Sequence, residues 1–363
     1  MPWNWQLPDW PHFRYDRESI AHHERQFLLK VGSAGAYAKN IKEQDYHQFI
    51  VEILSMEGTE SARIEGETLD RASLQSSIKQ QFGLDKNPKK KKDKESKMAA
   101  LLCEVYQSFA EPLTHEMLCR WHALLFYDDA RLADRGKYRT HREPMQIVSG
   151  HYDNQKVVFE APPSEKILSE MEKFVAWFNA TSMEPILGRA AIAHLYFENI
   201  HPFEDGNGRI GRVLVEKVLS QGVGRPILIA VSKILEARKK EYYAALESCN
   251  RSLDAGQWVE FFADVILQAQ DESLSLLYFL IDKSKMLTAL AGQMNPRQEK
   301  VLLRMFKEGP SGFKGGLSAE NYMAITKASK ATTTRDLNDL VEKGALVKKG
   351  ELRHTRYFLA TQL

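Results

Sequence analysis

Apolar residues recur at helical spacing through the first part of this chain. The stretches at about 16–31 and 45–58 both show this pattern, and in the second one Phe49, Ile50 and Ile53 lie on one side. Residues three and four positions apart share a helix face, so each stretch predicts an amphipathic helix with one buried side.

The middle of the chain repeats this spacing on both sides of a polar loop. One helix is predicted at about 186–199, and a second leaves the loop with Ile210, Val213 and Leu214 spaced for burial. Earlier in the chain, Ser164 is a typical N-cap residue and predicts the start of a further helix. The pattern as a whole indicates a mainly α fold.

The period changes between residues 145 and 159. Two short runs rich in isoleucine and valine flank the polar residues 151–154. Such runs around a polar turn predict two paired strands. We therefore expect a helical core that contains one β-hairpin.

Two breaks divide the chain. The lysine-rich segment 85–97 cannot bury apolar surface, so it predicts a linker or solvated loop. Asn295-Pro296 makes the second break, and the three helical patterns and two short strands after it resemble a winged helix-turn-helix. The predicted domains are an N-terminal helical region at 1–97, a helical core at 98–292 and a winged-helix-like domain at 293–363.

Composition narrows the class of protein. A net charge of +2 over 363 residues argues against wholesale binding to nucleic acid or membranes. The three cysteines form no CxxC pair, so neither a disulfide framework nor a cysteine zinc site is indicated. The N-terminus lacks the pattern of a secretory signal, and no stretch is apolar enough to span a membrane. A cytoplasmic protein is expected.

The strongest chemical signal is the loop at 201–212, His-Pro-Phe-Glu-Asp-Gly-Asn-Gly-Arg-Ile-Gly-Arg. Its second half formally matches GxGxxG, but a dinucleotide-binding fingerprint requires a buried strand directly before it. Here the preceding residues contain a proline and several carboxylates, so the match is accidental. The sequence contains no GxxxxGK[ST] motif, which excludes a P-loop.

The same loop nevertheless contains the groups that bind phosphate. Gly206 and Gly208 let backbone N–H groups approach an anion, and the loop opens a helix whose N-terminus favours negative charge. Arg209 and Arg212 are three residues apart and can grip phosphate oxygens together. These groups predict a phosphate-binding loop.

Two further residues add chemistry to this loop. Asp205 supplies a carboxylate oxygen suited to Mg²⁺, which proteins bind through one or two carboxylates together with phosphates. His201 can accept a proton near neutral pH. A base, a metal carboxylate and an anion-binding loop within twelve residues indicate phosphoryl-type transfer.

The loop resembles the signature of the Fic family, HxFx[DE]GNGRxxR, at every position. The matching residues are His201, Phe203, Asp205, Gly206, Asn207, Gly208, Arg209 and Arg212. The resemblance extends over the helical pattern from about 100 to 270 and includes the predicted hairpin.

This resemblance implies that AMP passes from ATP to a serine, threonine or tyrosine hydroxyl of a target protein, with pyrophosphate leaving. His201 would be the base and Asp205 the Mg²⁺ ligand, while Arg209 and Arg212 would hold the β- and γ-phosphates and Phe203 would anchor the loop in the core. The remaining nucleotide-binding residues implied by the loop are Gly206, Asn207, Gly208, Ile210 and Gly211.

Two other segments look like family features. Ile147-Val-Ser-Gly150 resembles the flap, a strand edge that pairs with a target segment, so 145–159 is the expected docking site for the target protein. Tyr242, Tyr243 and Asn250 resemble the patch that lines the adenine side of the nucleotide pocket. Aromatic pairs in helices are also typical of a core. The flap positions implied for the nucleotide site are Ile147, Val148, Ser149 and Gly150.

Ser61-Ala-Arg-Ile-Glu65-Gly66 fits the family's inhibitory pattern [ST]xxxE[GN]. A helix that brings Glu65 to Arg212 would form a bidentate ion pair in the place of the γ-phosphate. ATP would then bind with its α-phosphate misaligned for attack, so we expect an autoinhibited enzyme. The same glutamate could instead position water for the removal of AMP from a modified target, and the sequence does not separate these roles.

The sequence also allows other interpretations of function and donor nucleotide. The chain could be a DNA-binding regulator, and the residues that would open a recognition helix or lie on a wing near DNA phosphates are Thr332, Thr333, Thr334, Arg335, Lys348, Lys349, Arg353, His354 and Arg356. The donor base could be adenine, uracil or guanine. The family resemblance also implies a homodimer.

Overall fold

A computed structural model describes residues 1–38, 41–85, 93–149, 156–310 and 312–360. The helices are α1 (Ala21–Ala38), α2 (Glu43–Ile64), α3 (Arg71–Gln81), α4 (Asp93–Gln107), α5 (His115–Phe126), α6 (Ser164–Ala180), α7 (Ile186–Ile200), α8 (Asn207–Val223), α9 (Val231–Ala237), α10 (Lys239–Ser248), α11 (Gly256–Ala289), α12 (Pro296–Phe306), α13 (Ala319–Thr326) and α14 (Lys330–Glu342). The strands are β1 (Gln146–Ser149), β2 (Lys156–Glu160), β3 (Leu346–Lys349) and β4 (Arg356–Leu359). The predicted mainly α fold class is confirmed. In the described part of the chain, no helix is both long and apolar enough to cross a membrane.

The chain forms two compact units. The first comprises Met1–Ala36 and Ile50–Asp271, and the second comprises Tyr37–Phe49 and Glu272–Leu363. These limits differ from the predicted domain boundaries. The boundary predicted after residue 97 falls inside α4, whose Met98 is buried. Helix α11 is continuous through residue 272, so its last turns belong to the second unit.

Helix α7 is the centre of the first unit. Its side chains are buried on all sides, and Leu187, Leu195 and Phe197 are fully enclosed. A helix that is apolar all round must be covered by other elements, and α6 and α8 pack along it. On another side the Trp258 indole of α11 donates to the Ala191 carbonyl at 2.8 Å. The loop between α7 and α8 is therefore held at both ends by buried helices.

Helix α2 continues beyond its predicted end at Gly58. A Cβ on Gly58 would lie 2.9 Å from Leu102 and 3.0 Å from Leu74. This glycine allows α2 to pack closely against α3 and α4 instead of ending the helix. Because α2 continues to Ile64, Ser61 lies in its last turn and Glu65 follows directly after it. Helix α1 likewise extends beyond its predicted end, to Ala38.

Two further predictions are corrected. Helix α4 begins at Asp93, so the last residues of the predicted linker are helical, and Lys97 pairs with Asp93 at 3.0 Å. Residues 86–92 lie outside the described residues. Pro163, not Ser164, is the N-cap of α6, because the Ser164 hydroxyl instead accepts from the Arg139 guanidinium at 3.0 Å.

The predicted hairpin is present. Strands β1 and β2 pair antiparallel, with Val148 opposite Val157 and an irregular register between Ile147 and Val148. The turn at 151–154 and the predicted flap residue Gly150 lie outside the described residues.

The second unit contains the predicted three helices and closing hairpin. Asn295 caps α12, strands β3 and β4 pair antiparallel, and the shared core includes Leu302, Leu337 and Tyr357. Of the residues predicted to open a recognition helix, Thr333 is fully buried on the core side of α14 and is not accessible to DNA. The other described candidates are at least partly accessible, namely Thr332, Thr334, Arg335, Lys348, Lys349, His354 and Arg356. The side chain of Arg353 lies outside the described part of the chain.

Candidate active site

His201 ends α7 in a left-handed backbone conformation, with φ 52° and ψ 59°. This conformation is sterically costly for a residue with a Cβ, so neighbouring groups must stabilise it. Arg139, which is buried, donates from Nε to the His201 carbonyl at 2.8 Å. Its backbone N–H donates to the Pro202 carbonyl at 2.9 Å. Arg139 therefore fixes the direction in which the chain leaves α7.

The rest of the loop is closed by Asn207 and anchored by Phe203. The Asn207 side chain accepts from the Phe203 N–H at 2.9 Å and donates to the Phe203 carbonyl at 2.8 Å. Phe203 is fully buried, as predicted, and stacks on the His122 ring at 4.3 Å. The Asn207 side chain, predicted to bind nucleotide, therefore stabilises the loop itself.

Two glycines make room for other groups at the start of α8. Gly206 has φ 82°, and a Cβ there would lie 2.4 Å from the Phe126 ring. A Cβ on Gly208 would lie 2.2 Å from a Glu65 carboxylate oxygen. An acid side chain therefore lies against the loop where the sequence predicts a bound phosphate.

A cavity of about 530 Å³ opens over this loop. Its lining combines the loop, the hairpin, the end of α2 and α10: Glu65, Gln146, Ile147, Val148, Val158, Phe159, Glu198, Asn199, His201, Glu204, Asp205, Gly206, Asn207, Gly208, Arg212, Tyr242, Tyr243, Leu246, Glu247 and Asn250. The sequence-predicted base, metal carboxylate, glycines and second arginine all lie on this one surface.

His201 has the protonation state that a general base requires. Burial lowers the pKa of its imidazole to about 4, so the ring is neutral at pH 7. Its Nδ1 lies 3.2 Å from the Glu198 carbonyl oxygen. Because a carbonyl only accepts, Nδ1 carries the hydrogen and Nε2 keeps a lone pair. The ring can therefore take a proton at Nε2.

The acidic groups of the cavity suit Mg²⁺ held mainly by phosphates. Among the described residues, no group of three or more His, Cys, Asp and Glu side chains is arranged to hold a metal. Asp205 offers a half-exposed carboxylate whose Oδ1 pairs with Arg209 at 3.1 Å, and Glu204 accepts from the Asp134 N–H at 3.0 Å. One carboxylate together with phosphate oxygens is a donor set that Mg²⁺ commonly takes.

Glu65 and Arg212 form an ion pair inside the cavity. Glu65 Oε1 lies 2.7 Å from Arg212 Nη2, and the Arg212 side chain is only 1% exposed. The predicted bidentate pair is not formed, because Arg212 Nε donates to the Ser61 hydroxyl at 2.9 Å and Nη2 also donates to the Ser61 carbonyl at 3.0 Å. Burial opposes the charge on Glu65, but Arg212 outweighs it and lowers the pKa of the carboxyl.

Arg209 is held outside the cavity. It pairs with Glu67 at 3.1 Å and with Asp205 at 3.1 Å, and its guanidinium lies over the Phe126 ring. Ile210 and Gly211 do not line the cavity either. The Ile210 side chain is fully buried and Gly211 faces His194 and Glu198, so their assignment to the nucleotide site is corrected.

The predicted adenine-side residues line the part of the cavity wall at the end of α10. Tyr242 is buried with its hydroxyl 2.8 Å from His194 Nε2, whereas Tyr243 is exposed. Asn250 donates to the Val158 carbonyl of β2 at 2.9 Å. Of the flap residues, Ile147 and Val148 line the cavity. This wall therefore joins the end of α10 to the hairpin.

Sequence reasoning missed several residues that shape the site. Glu198 and Asn199 line the cavity and directly precede the loop, so their position was a usable signal. Glu67 lies two residues after Glu65 and was equally close to a recognised pattern. Arg139 and His122 lie far from the loop in sequence, and no local pattern marks them.

Comparison with known proteins agrees with this geometry. Residues 112–219 match the Fic/DOC family, and residues 3–84 match a domain of unknown function, DUF4172. The chain is 30% identical over 167 residues to the protein adenylyltransferase Fic of Culex quinquefasciatus, covering 41% of this chain and 32% of that protein. It is 25% identical over 248 residues to the protein of the same name from Drosophila grimshawi, covering 66% and 45%. The matches thus span less than half the length of these relatives.

Solved structures show the same fold. A Fic family protein from Desulfovibrio desulfuricans G20 superposes with a TM-score of 0.58 at 21% identity, covering 96% of this chain and 98% of that one. A Fic domain containing signaling protein from Bacteroides thetaiotaomicron superposes with a TM-score of 0.53 at 20% identity, covering 70% and 96%. The predicted family resemblance is confirmed.

Proposed function

Because this chain contains a Fic domain and belongs through it to the Fic/DOC family, we propose that it is a protein adenylyltransferase inhibited by its own Glu65. Relatives named protein adenylyltransferase support the activity. One observation carries the proposal: a neutral His201, whose side chain is 14% exposed, faces the same cavity as the glycine-rich start of α8 and Arg212. That cavity is large enough to hold a nucleotide next to the His201 imidazole.

The proposed reaction is a single displacement at the α-phosphate. The target hydroxyl oxygen forms a bond to that phosphorus, the bond to the pyrophosphate oxygen breaks, and the hydroxyl proton passes to His201 Nε2. Asp205 would hold Mg²⁺, which neutralises charge on the phosphates when bound. The free N–H groups at the start of α8 would donate to the transferred phosphate.

Glu65 would inhibit this reaction by occupying the place of the γ-phosphate. Its carboxylate lies against Gly208 and pairs with Arg212, whose guanidinium is also engaged by Ser61. A triphosphate cannot meet Arg212 while this pair persists. ATP that enters is then displaced along the cavity, and misplacement of the reacting atoms by about 1 Å can cost a factor of about 100 in rate.

The target segment would add to the hairpin beside the cavity. Ile147 and Val148 are exposed on β1 and also line the cavity, so an extended segment pairing there would bring a hydroxyl towards His201. We propose a serine, threonine or tyrosine hydroxyl as the acceptor, as the family resemblance implies.

Transfer of label tests this function. We expect Glu65→Gly protein to incorporate label from α-labelled ATP into itself or into lysate proteins, and to fail with γ-labelled ATP. Glu65→Gly with His201→Ala is the matched control, and loss of the base should lower transfer by a factor of about 100 to 10,000. Equal labelling by both proteins would contradict the proposal. Loss of label on adding the wild-type protein would instead indicate removal of AMP.

A second function, DNA contact through the second unit, is favoured by exposed basic residues on its helix and hairpin. Arg335, Lys348 and Lys349 are all exposed. Basic groups that neutralise phosphates give binding that weakens as salt rises. A gel-shift of the full chain and of a Lys348→Glu, Lys349→Glu variant over a salt series tests it, and equal binding by both proteins would contradict it.

A further inference from the structure

The first residues of the chain lie against the cavity wall. Trp3, Asn4 and Trp5 enter a short 3-10 helix, and Asn4 is completely buried although both tryptophans are partly accessible. A buried asparagine at the start of a chain requires hydrogen-bond partners from other elements. The identity of those partners indicates what the segment does.

Asn4 connects two cavity-lining residues, one in α7 and one in the segment after α10. Its side-chain amide donates to the Cys249 carbonyl at 2.9 Å and to the Asn199 side chain, and its backbone N–H donates to the Asn250 carbonyl at 2.9 Å. Asn199 lies at the end of α7, two residues before His201, and Asn250 follows α10. Both line the cavity. Asn4 therefore links the end of α7 to the segment after α10.

The flanking tryptophans contact the hairpin. The Trp5 indole donates to the Glu160 carbonyl at 2.7 Å, and the Trp3 ring packs edge-on against Phe159 with centroids 5.5 Å apart. Phe159 lines the cavity, and the neighbouring Val158 accepts from Asn250. The segment thus holds β2 and the end of α10 in one arrangement.

We propose that Trp3–Trp5 is a structural part of the nucleotide site, with Asn4 as a positioning residue for the part of the cavity that holds the nucleobase. This inference rests on the proposed function. Without the Asn4 side chain, the Asn199 side chain and the Cys249 carbonyl beside Asn250 lose their shared partner. The Asn4 backbone N–H still donates to the Asn250 carbonyl, and Gly206, Gly208 and Arg212 keep their contacts. Affinity for the base portion of a nucleotide should fall, and affinity for its phosphates should not.

Binding to an inactive, uninhibited chain tests this. In a Glu65→Gly, His201→Ala background, we compare ATP with inorganic tripolyphosphate by calorimetry, with and without Asn4→Ala. The ATP dissociation constant should rise about tenfold, as expected for the loss of a buried hydrogen-bonding group, and the tripolyphosphate constant should stay within a factor of about two.

The chain offers a matched control. Gln270 is also a buried amide, donates to the Phe27 carbonyl at 3.1 Å, and has an oxygen without a partner among the described residues, as Asn4 does. It ties the N-terminal region to α11 and does not line the cavity, so Gln270→Ala should leave ATP binding unchanged.

Three outcomes would overturn the inference. Equal loss of ATP and tripolyphosphate in Asn4→Ala would show a merely structural role, and unchanged ATP binding would show none. If the protein that retains Asn4 binds tripolyphosphate but not ATP, the proposed function fails and this inference fails with it. Should Asn4→Ala prove unfolded by circular dichroism, Asn4→Ser with the same pair of ligands gives the comparison.

Discussion

The loop between α7 and α8 and the β1–β2 hairpin face the same cavity but are built in opposite ways. Phe203 in the loop is fully buried, and Arg212, in the first turns of α8, is 1% exposed and is held by Ser61 and Glu65. On the hairpin, the paired valines Val148 and Val157 are 45% and 38% exposed.

This difference separates two tasks. Groups that stabilise charge during transfer act best when they are fixed before the substrate arrives, which requires burial and several contacts for each group. A surface that takes up a target segment needs free backbone groups and accessible apolar side chains. The loop therefore suits chemistry and inhibition, and the hairpin suits target binding.

The largest effect on the transfer rate is expected from substituting Glu65, which pairs with Arg212, in comparison with Glu67, which pairs with Arg209. Glu65 and Glu67 are similarly exposed, at 31% and 28%, but Arg212 lines the cavity and Arg209 does not. Glu65→Ala should raise the rate of label transfer by a factor of about 100, and Glu67→Ala by less than about threefold. Initial rates at saturating ATP measure both.

The two variants control for each other, because each removes one carboxylate from one arginine. Equal activation by both would mean that the Arg209 contact also restrains the enzyme. No activation by Glu65→Ala would contradict the inhibitory role.

The buried region around the loop between α7 and α8 also predicts a pH dependence of stability. Burial and the nearby Glu65 carboxylate raise the pKa of Glu198 from 4.5 to about 8. Between these values the folded protein keeps a proton that the unfolded chain releases, so the free energy of unfolding falls as pH rises from about 4.5 to about 8. Glu198→Gln removes this titration, and the difference should reach about 4 kcal/mol by pH 8.

Urea unfolding of wild-type and Glu198→Gln protein at several pH values between 5 and 8 measures it. Glu172→Gln, on the exposed side of α6, is the control and should follow the wild-type curve. Curves for Glu198→Gln that run parallel to the wild type would contradict the raised pKa.

The smallest effect is expected on the hairpin. Val157→Ser should raise the KM for a target protein about fivefold, because apolar surface contributes about 0.8 kcal/mol for each buried methylene-sized group. ATP binding should not change, since Val157 does not line the cavity. Steady-state transfer to an identified target measures the KM.

Val347→Ser is the matched control for this change, because Val347 is 44% exposed on β3 of the other hairpin. A similar loss in both variants would contradict target binding at the first hairpin, and so would an unchanged KM in Val157→Ser.

Much of the fold followed from local patterns. The helices on either side of the loop, the hairpin at 145–159 and the three helices of the second unit were predictable, because apolar spacing reports which side of an element is buried. The ends of elements were less predictable. Gly58 looked like the end of a helix, and only the packing of Leu102 and Leu74 against it explains why α2 continues to Ile64.

What the sequence determined by itself is the chemistry that lies within a few residues. His201, Asp205, Gly208 and Arg212 share one short loop, so their spacing alone places them on one surface. Tertiary structure decided which distant residues complete that surface. Arg139 reaches His201 across 62 positions, and Asn4 reaches Asn199 across 195. Spacing along a chain determines neighbours only within one element, whereas contacts between elements depend on how their buried faces pack together.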